Sequence, residues 1–325
     1  MSEREVAAGA PRAPSRLSQL AQVILTIALV AFASWYLWRQ WQGAATSPVR
    51  VHLEIGWLVL ATLLVLATYG LLVEVWRRVL MRYGYALGIL DAARVWFVSN
   101  LGKYVPGKVW QVTTMALMLS RLNIPLGTAA GASAVITIAN VVAGFALLLA
   151  VGTPSLRLVL GGHEASLLIA TLILVVAFLT APFLMRVLSS LASRMLRKPF
   201  DVTMPAAAAW LSVIGCAIAW LLYGTAFQLF VRSLLGSASA PWIAYVTAYT
   251  LSYLFGYLAL FAPGGIGIRE VTLSYLLITL RIATPAEAAV ITVASRLWLT
   301  VLEIVPGVLF LFVRPAKERA TTQTR

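Results

Sequence analysis

The sequence is poor in the residues from which catalytic and metal centres are commonly built. Cysteine occurs once, at Cys216, and histidine twice, at His52 and His163. One cysteine excludes an internal disulfide, and without a Cys/His cluster no metal site of the zinc type is expected. Acidic residues are scarce too: 11 Asp+Glu stand against 25 Lys+Arg, a net charge of +14. Charged residues make up 11% of the 325, where a soluble domain carries about 25%. What is there in abundance is apolar: 61% of the chain. A soluble fold this apolar could not cover its own surface, so soluble and disordered classes are excluded. In a soluble protein the basic excess would point to nucleic acid. In this chain it reads as loop charge at a membrane surface, and no nucleic-acid partner is expected. The fold class is all-α, a polytopic membrane helix bundle.

A spanning helix needs about 20 mostly apolar residues. Clear candidates are Leu17–Trp38, Ile55–Val75, Leu126–Val151, Ala165–Met185, Ala206–Val231 and Ala288–Val313. The first follows Arg4, Arg12 and Arg16 like a signal peptide. Its apolar run is too long, and no small-residue cleavage site follows, so it reads as an uncleaved helix. Two further apolar stretches, Asp91–Arg121 and Pro241–Arg281, are broken by Pro-Gly. The halves of the first, Asp91–Val105 and Lys108–Arg121, are each too short to cross, which makes a helix–break–helix hairpin re-entrant on one face. With cytoplasmic termini, sixteen basic residues fall inside and five outside, as the positive-inside rule requires. Six spans with two hairpins and eight spans with one satisfy that rule equally. The organisation expected is a cytoplasmic tail over 1–16, one transmembrane domain over 17–313, and a cytoplasmic tail over 314–325, in the plasma membrane. No hydrophilic stretch is long enough for a soluble catalytic domain.

The two broken segments share a pattern. Val105-Pro106-Gly107-Lys108-Val109 resembles Ala262-Pro263-Gly264-Gly265-Ile266, and Ala134–Ala139 (AVITIA) matches Ala289–Ala294 (AVITVA). The order is the same and the offsets are close, 157 and 155 residues. Repeat units of about 17–151 and 165–313 with opposite topology follow under the six-span reading, an architecture known from secondary transporters. Each Pro-Gly break would then start a half-helix whose free N–H groups favour an anion.

Ionisable groups at membrane depth are costly and call for a function. The first break carries Asn100, Lys103, Pro106, Gly107, Lys108 and Gln111. The second carries Pro263, Gly264, Gly265, Gly267, Arg269 and Glu270. Arg296 and Glu303, seven apart on the last span, share a helix face. The four cations suit a phosphate or carboxylate. Two alternatives stand beside that reading: the lysines snorkel to headgroups, and the Arg/Glu groups are structural ion pairs. Arg269 and Glu270, being adjacent, point about 100° apart and should serve different partners. The expected network pairs Arg296 with Glu270 and Arg269 with Glu303, or leaves one arginine free for substrate. Glu74 is expected to pair at the interface with Arg77 and Arg78. The aromatic content is read mostly as interface belts, as at Trp35, Tyr36, Trp38 and Trp41. Gly264-Gly-Ile-Gly267 is not a dinucleotide fingerprint, no nucleotide-binding loop is present, and no cofactor is expected.

The strings Ser99–Lys108 (SNLGKYVPGK) and Ala262–Glu270 (APGGIGIRE), with Arg296, Glu303 and Pro306-Gly307 beyond them, resemble the lysylphosphatidylglycerol synthase transmembrane-region family, over about residues 15–315. The resemblance implies a flippase-like integral membrane protein. In its best understood members such a region moves aminoacylated phosphatidylglycerol between leaflets beside a soluble transferase domain, which this sequence lacks. Stand-alone members are associated with glycolipid or polyprenyl-linked sugar pathways. Lys108-Val-Trp110 departs from the smaller residues expected after the first break. The expected activity is movement of an anionic phospholipid or polyprenyl-phosphate-linked glycolipid, its headgroup held between the two broken helices. The partners expected are membrane lipids and a separate lipid-modifying transferase. The alternative is a membrane-embedded transferase, or its accessory subunit, in cell-envelope synthesis.

Overall fold

The computed structural model describes residues 52–102, 109–160, 164–196, 205–259 and 262–313, together with Trp35 and Trp38. Ten α-helices cover them: α1 Ile55–Arg82, α2 Ile89–Leu101, α3 Val109–Ser120, α4 Leu126–Val151, α5 Thr153–Leu160, α6 Glu164–Leu196, α7 Ala206–Leu235, α8 Trp242–Leu258, α9 Ile268–Thr279 and α10 Pro285–Leu311. A short 3-10 turn, Pro263–Gly265, stands between α8 and α9. Among the described residues there is no strand, and the one isolated bridge pairs His52 with Leu235. The expected first span, Leu17–Trp38, lies outside the described residues apart from Trp35 and Trp38, which are helical and exposed. Outside them too are both tails, the break Lys103–Lys108, and His163.

Among the described residues, four helices are long and apolar enough to cross a membrane: Ile55–Arg82, Gly131–Val151 within α4, Ala206–Leu235 and Pro285–Leu311. The 28 residues of α1 span about 42 Å at 1.5 Å each, more than the roughly 30 Å of hydrocarbon. The segment expected from Ala165 to Met185 falls inside α6. Large apolar side chains such as Leu63, Ile173, Phe183, Trp210 and Leu297 are exposed. On a soluble surface they would drive aggregation; beside lipid tails they are at no disadvantage.

Several helices outrun the apolar segments, and the causes are local. Helix α1 continues to Arg82 because Glu74 takes a bidentate contact from Arg77 (Nε 2.7 Å, Nη2 2.9 Å) and a 2.6 Å bond from Arg78. These are (i, i+3) and (i, i+4) pairs that stabilise the turns carrying them. Helix α10 starts three residues before the apolar run because Thr284-Pro-Ala-Glu287 is a capping box. The Glu287 carboxylate accepts from the Thr284 N–H at 2.8 Å, and Pro285 takes the first turn, where its missing N–H costs nothing. Helix α7 ends at Gly236, whose φ of 72° is left-handed.

Helix α7 is the hub, packing against α1, α4, α6, α8 and α10. Its buried face is built of small residues, among them Ala208, Ser212, Gly215 and Ala219, which let backbones approach where no hydrophobic effect drives association. A Cβ on Gly215 would strike Val75 of α1, and one on Gly224 would lie 2.6 Å from the Val246 Cα of α8. The two glycines are nine residues apart, hence on opposite sides of the helix, so α7 is gripped from both. The belts do not account for the aromatics: Trp76, Trp220, Tyr245 and Phe227 are fully buried. This narrows the reading of the aromatics as mostly interface belts, since these rings fill the spaces left between small-residue contacts.

Candidate functional site

The second Pro-Gly break is built on glycine because its backbone requires it. Gly264, Gly265 and Gly267 have φ of 59°, 71° and 89°, a region that costs other residues about 1–2 kcal/mol each. Gly265 also lies against α8: a Cβ there would sit 2.8 Å from the Gly256 carbonyl oxygen. The turn therefore presses α8 close to the start of α9.

Gly267 caps α9 from outside, and Glu270 at the third helical position returns its Oε2 to the Gly267 N–H at 2.6 Å. Glycine has no side chain to complete a box, so this is half of one, strengthened by a carboxylate at the positive end of the helix. Arg296 of α10 closes the arrangement. Its Nη2 donates to the Gly264 carbonyl at 3.0 Å, and its Nε stands 3.4 Å from Glu270 Oε1, an ion pair too long for a hydrogen bond.

Arg269 points the other way, as adjacency on a helix demands. It is 7% exposed, and its guanidinium lies 4.6 Å from the ring centre of Tyr253 and 5.5 Å from that of Tyr249. It interacts electrostatically with both Glu270 and Glu303. Glu303 in turn acts on Tyr69, Tyr223 and Tyr249. These rings pack on one another: Tyr223 stacks on Tyr249 at 5.8 Å, and Tyr69 meets Tyr223 edge-on at 6.1 Å. The interior between α1, α7, α8 and α9 is thus a tyrosine cluster with an arginine over it.

Arg269, Glu270, Leu273, Thr292, Ser295 and Arg296 line a crevice between α9 and α10. It is too narrow in this conformation to admit a water molecule. Arg296 and the Glu270 carboxylate face each other across it, Thr292 and Ser295 add two hydroxyl residues, and Arg269 lines it while its guanidinium lies over Tyr253. The arrangement can hold an oxyanion, provided that the helices separate to receive it.

The sequence-derived residues therefore divide. Pro263, Gly264, Gly265, Gly267, Arg269, Glu270 and Arg296 come together at one turn. Asn100 and Gln111 form a second group, a 2.5 Å hydrogen bond from Gln111 Nε2 to Asn100 Oδ1 that ties α2 to α3. Lys103, Pro106, Gly107 and Lys108 lie outside the described residues. Helix α10 touches both groups: α9 packs on it, and so does α2, whose Leu101 sits against Gly307. Arg296 and Gly307 are eleven residues, about 16 Å, apart along the helix, with Glu303 between them.

Sequence reasoning did not single out Tyr69, Tyr223, Tyr249, Tyr253, Thr292 or Ser295. One signal was present: Tyr245, Tyr249, Tyr253 and Tyr257 recur every four residues, a stripe along one side of α8. Thr292 lay inside the repeated AVITVA string, where it counted as a mark of repetition.

A family model described as Lysylphosphatidylglycerol synthase TM region matches residues 23–307 of the chain. No curated protein matches it.

Proposed function

We propose that this chain, which belongs to the lysylphosphatidylglycerol synthase TM-region family, carries an anionic lipid between the leaflets of a membrane. Membership makes it a membrane protein acting in lipid-related processes. The observation that carries the finer reading is the crevice at the second break, lined by Arg269 and Arg296 with one carboxylate, Glu270. Guanidinium groups bind phosphate in a forked geometry, and the α9 N-terminus adds its positive end. The lipid is an anionic phospholipid or a polyprenyl-phosphate-linked glycolipid. Its phosphate contacts Arg269 and Arg296, with Lys103 and Lys108 contributing from the first break, while Glu270 and Glu303 hold the arginines when no lipid is present.

Helix lengths support re-entrant hairpins. Helices α2, α3 and α9 have 13, 12 and 12 residues, about 18–20 Å each, well short of the hydrocarbon thickness. Helix α8, at 17 residues, reaches about 25 Å. The two breaks then enter from opposite faces as an inverted repeat, with both termini cytoplasmic in the plasma membrane; α10 packs on both α2 and α9. A separate transferase would supply the modified lipid.

The test is reconstitution into phosphatidylcholine vesicles carrying a headgroup-labelled phospholipid or polyprenyl phosphate. The wild-type protein should speed transbilayer movement of at least one of these, and Arg296→Gln should slow it by tenfold or more. Rates equal to those of empty vesicles for every lipid would end this reading.

A further inference from the structure

Threonines inside helices usually satisfy their hydroxyl by donating to a carbonyl one turn back, and this protein shows the habit. Thr68 donates to the Leu64 carbonyl at 2.7 Å and Thr225 to that of Leu221 at 2.8 Å. Thr292 does not. It is 1% exposed, and its Oγ1 is buried with no hydrogen-bond partner. Thr247 and Thr250 are likewise buried and unpartnered, but they do not line the crevice, whereas Thr292 does. Its neighbour Ser295 has used its proton on the Thr292 carbonyl, at 3.0 Å.

An unpaired buried hydroxyl destabilises a protein, so one kept in a crevice that Arg269 and Arg296 also line, beside the start of α9, calls for an acceptor absent from the resting state. We propose that Thr292 is the neutral donor of the crevice, giving its hydroxyl proton in a hydrogen bond to an oxygen of a tetrahedral oxyanion, a phosphate, when α9 and α10 part. The arginines supply charge and the hydroxyl supplies direction. Opening must break the Arg296 bond to the Gly264 carbonyl, which frees that guanidinium for the same phosphate. This rests on the lipid-carrier reading for the source of the phosphate; the oxyanion chemistry itself would also accept free phosphate.

The test uses the full chain in vesicles and in detergent, with T292V and T292S. Valine has the shape of threonine without its hydroxyl. If Thr292 is the donor, T292V unfolds at the same temperature as the wild-type protein or higher, because an unpaired polar group is gone. Its transbilayer movement of labelled phosphatidylglycerol nevertheless falls on the order of tenfold or more, and T292S, which keeps the hydroxyl, recovers most of that loss. A T292V that moves lipid at the wild-type rate overturns the assignment. So does a T292V that unfolds at lower temperature, since the hydroxyl would then have a partner in the resting protein. A parallel arm measures uptake of radiolabelled inorganic phosphate by the same vesicles. Phosphate uptake that needs Thr292, in a wild-type protein that moves no lipid, upholds the oxyanion site and rejects the lipid reading. Lipid movement unaffected by T292V upholds the lipid reading and rejects the site.

Discussion

At the scale of residues, the second break is a set of mutual dependencies in which no side chain does one thing. Glu270 caps its own helix and meets Arg296. Replacing it with alanine removes both contacts and should cost about 1–2 kcal/mol. Glu270→Gln keeps an acceptor for the Gly267 N–H and should recover most of that, as thermal unfolding in detergent would report. Gly265 has a left-handed backbone and a carbonyl where a Cβ would go. Gly265→Ala should therefore cost at least about 1–2 kcal/mol, well above the few tenths expected of an exposed surface substitution. An unchanged unfolding temperature would mean that the turn can adopt another path.

At the scale of elements, α10 ties the second break to α2. Near its middle Arg296 reaches the second break, and near its end Gly307 receives Leu101, the last residue of α2. Pro306, inside the helix, removes the hydrogen bond that would run to the Leu302 carbonyl, so α10 is weakest beside that contact. A Cβ on Gly307 would lie 2.6 Å from Leu101 Cδ2. Gly307→Ala should overpack this crossing by about 1–3 kcal/mol, and adding Leu101→Ala should relieve part of the cost. The double mutant would then lose less stability than the single mutants together, by more than about 0.5 kcal/mol. Strict additivity would show that α2 can slide along α10 at no penalty.

At the scale of the whole molecule, the open choice concerns the face from which the second break is reached. Under the six-span, two-hairpin arrangement it opens to the outside; with α8 and α9 as separate spans it opens to the cytoplasm. Ile266 is partly exposed beside the break, and Cys216 is buried, so a single new thiol can report. With Cys216→Ala as background, Ile266→Cys in intact cells should react with a membrane-impermeant maleimide added outside. Reaction only after the cells are opened would favour the eight-span arrangement and remove the inverted symmetry.

What the sequence determined by itself is what composition and short-range geometry control. An apolar content of 61% with 11% charge admits little besides a helical membrane bundle. Among the described residues, helix positions followed from runs of apolar residues; caps and charge pairs extended the ends at Thr284–Glu287 and Glu74–Arg78, while α6 runs on from Met185 to Leu196. The grouping of Arg269, Glu270 and Arg296 was legible because a helix makes neighbours diverge, and because a buried cation requires an anion. The tertiary structure decided what depends on contacts between distant segments. Tyr69, Tyr223 and Tyr249 lie on three helices, and nothing local tells a tyrosine at an interface from one at the centre. Thr292 looked like any helical threonine until its hydroxyl was seen to lack the carbonyl that Thr68 and Thr225 each find. That distinction is three-dimensional, since it turns on which neighbours fill the space around one oxygen atom.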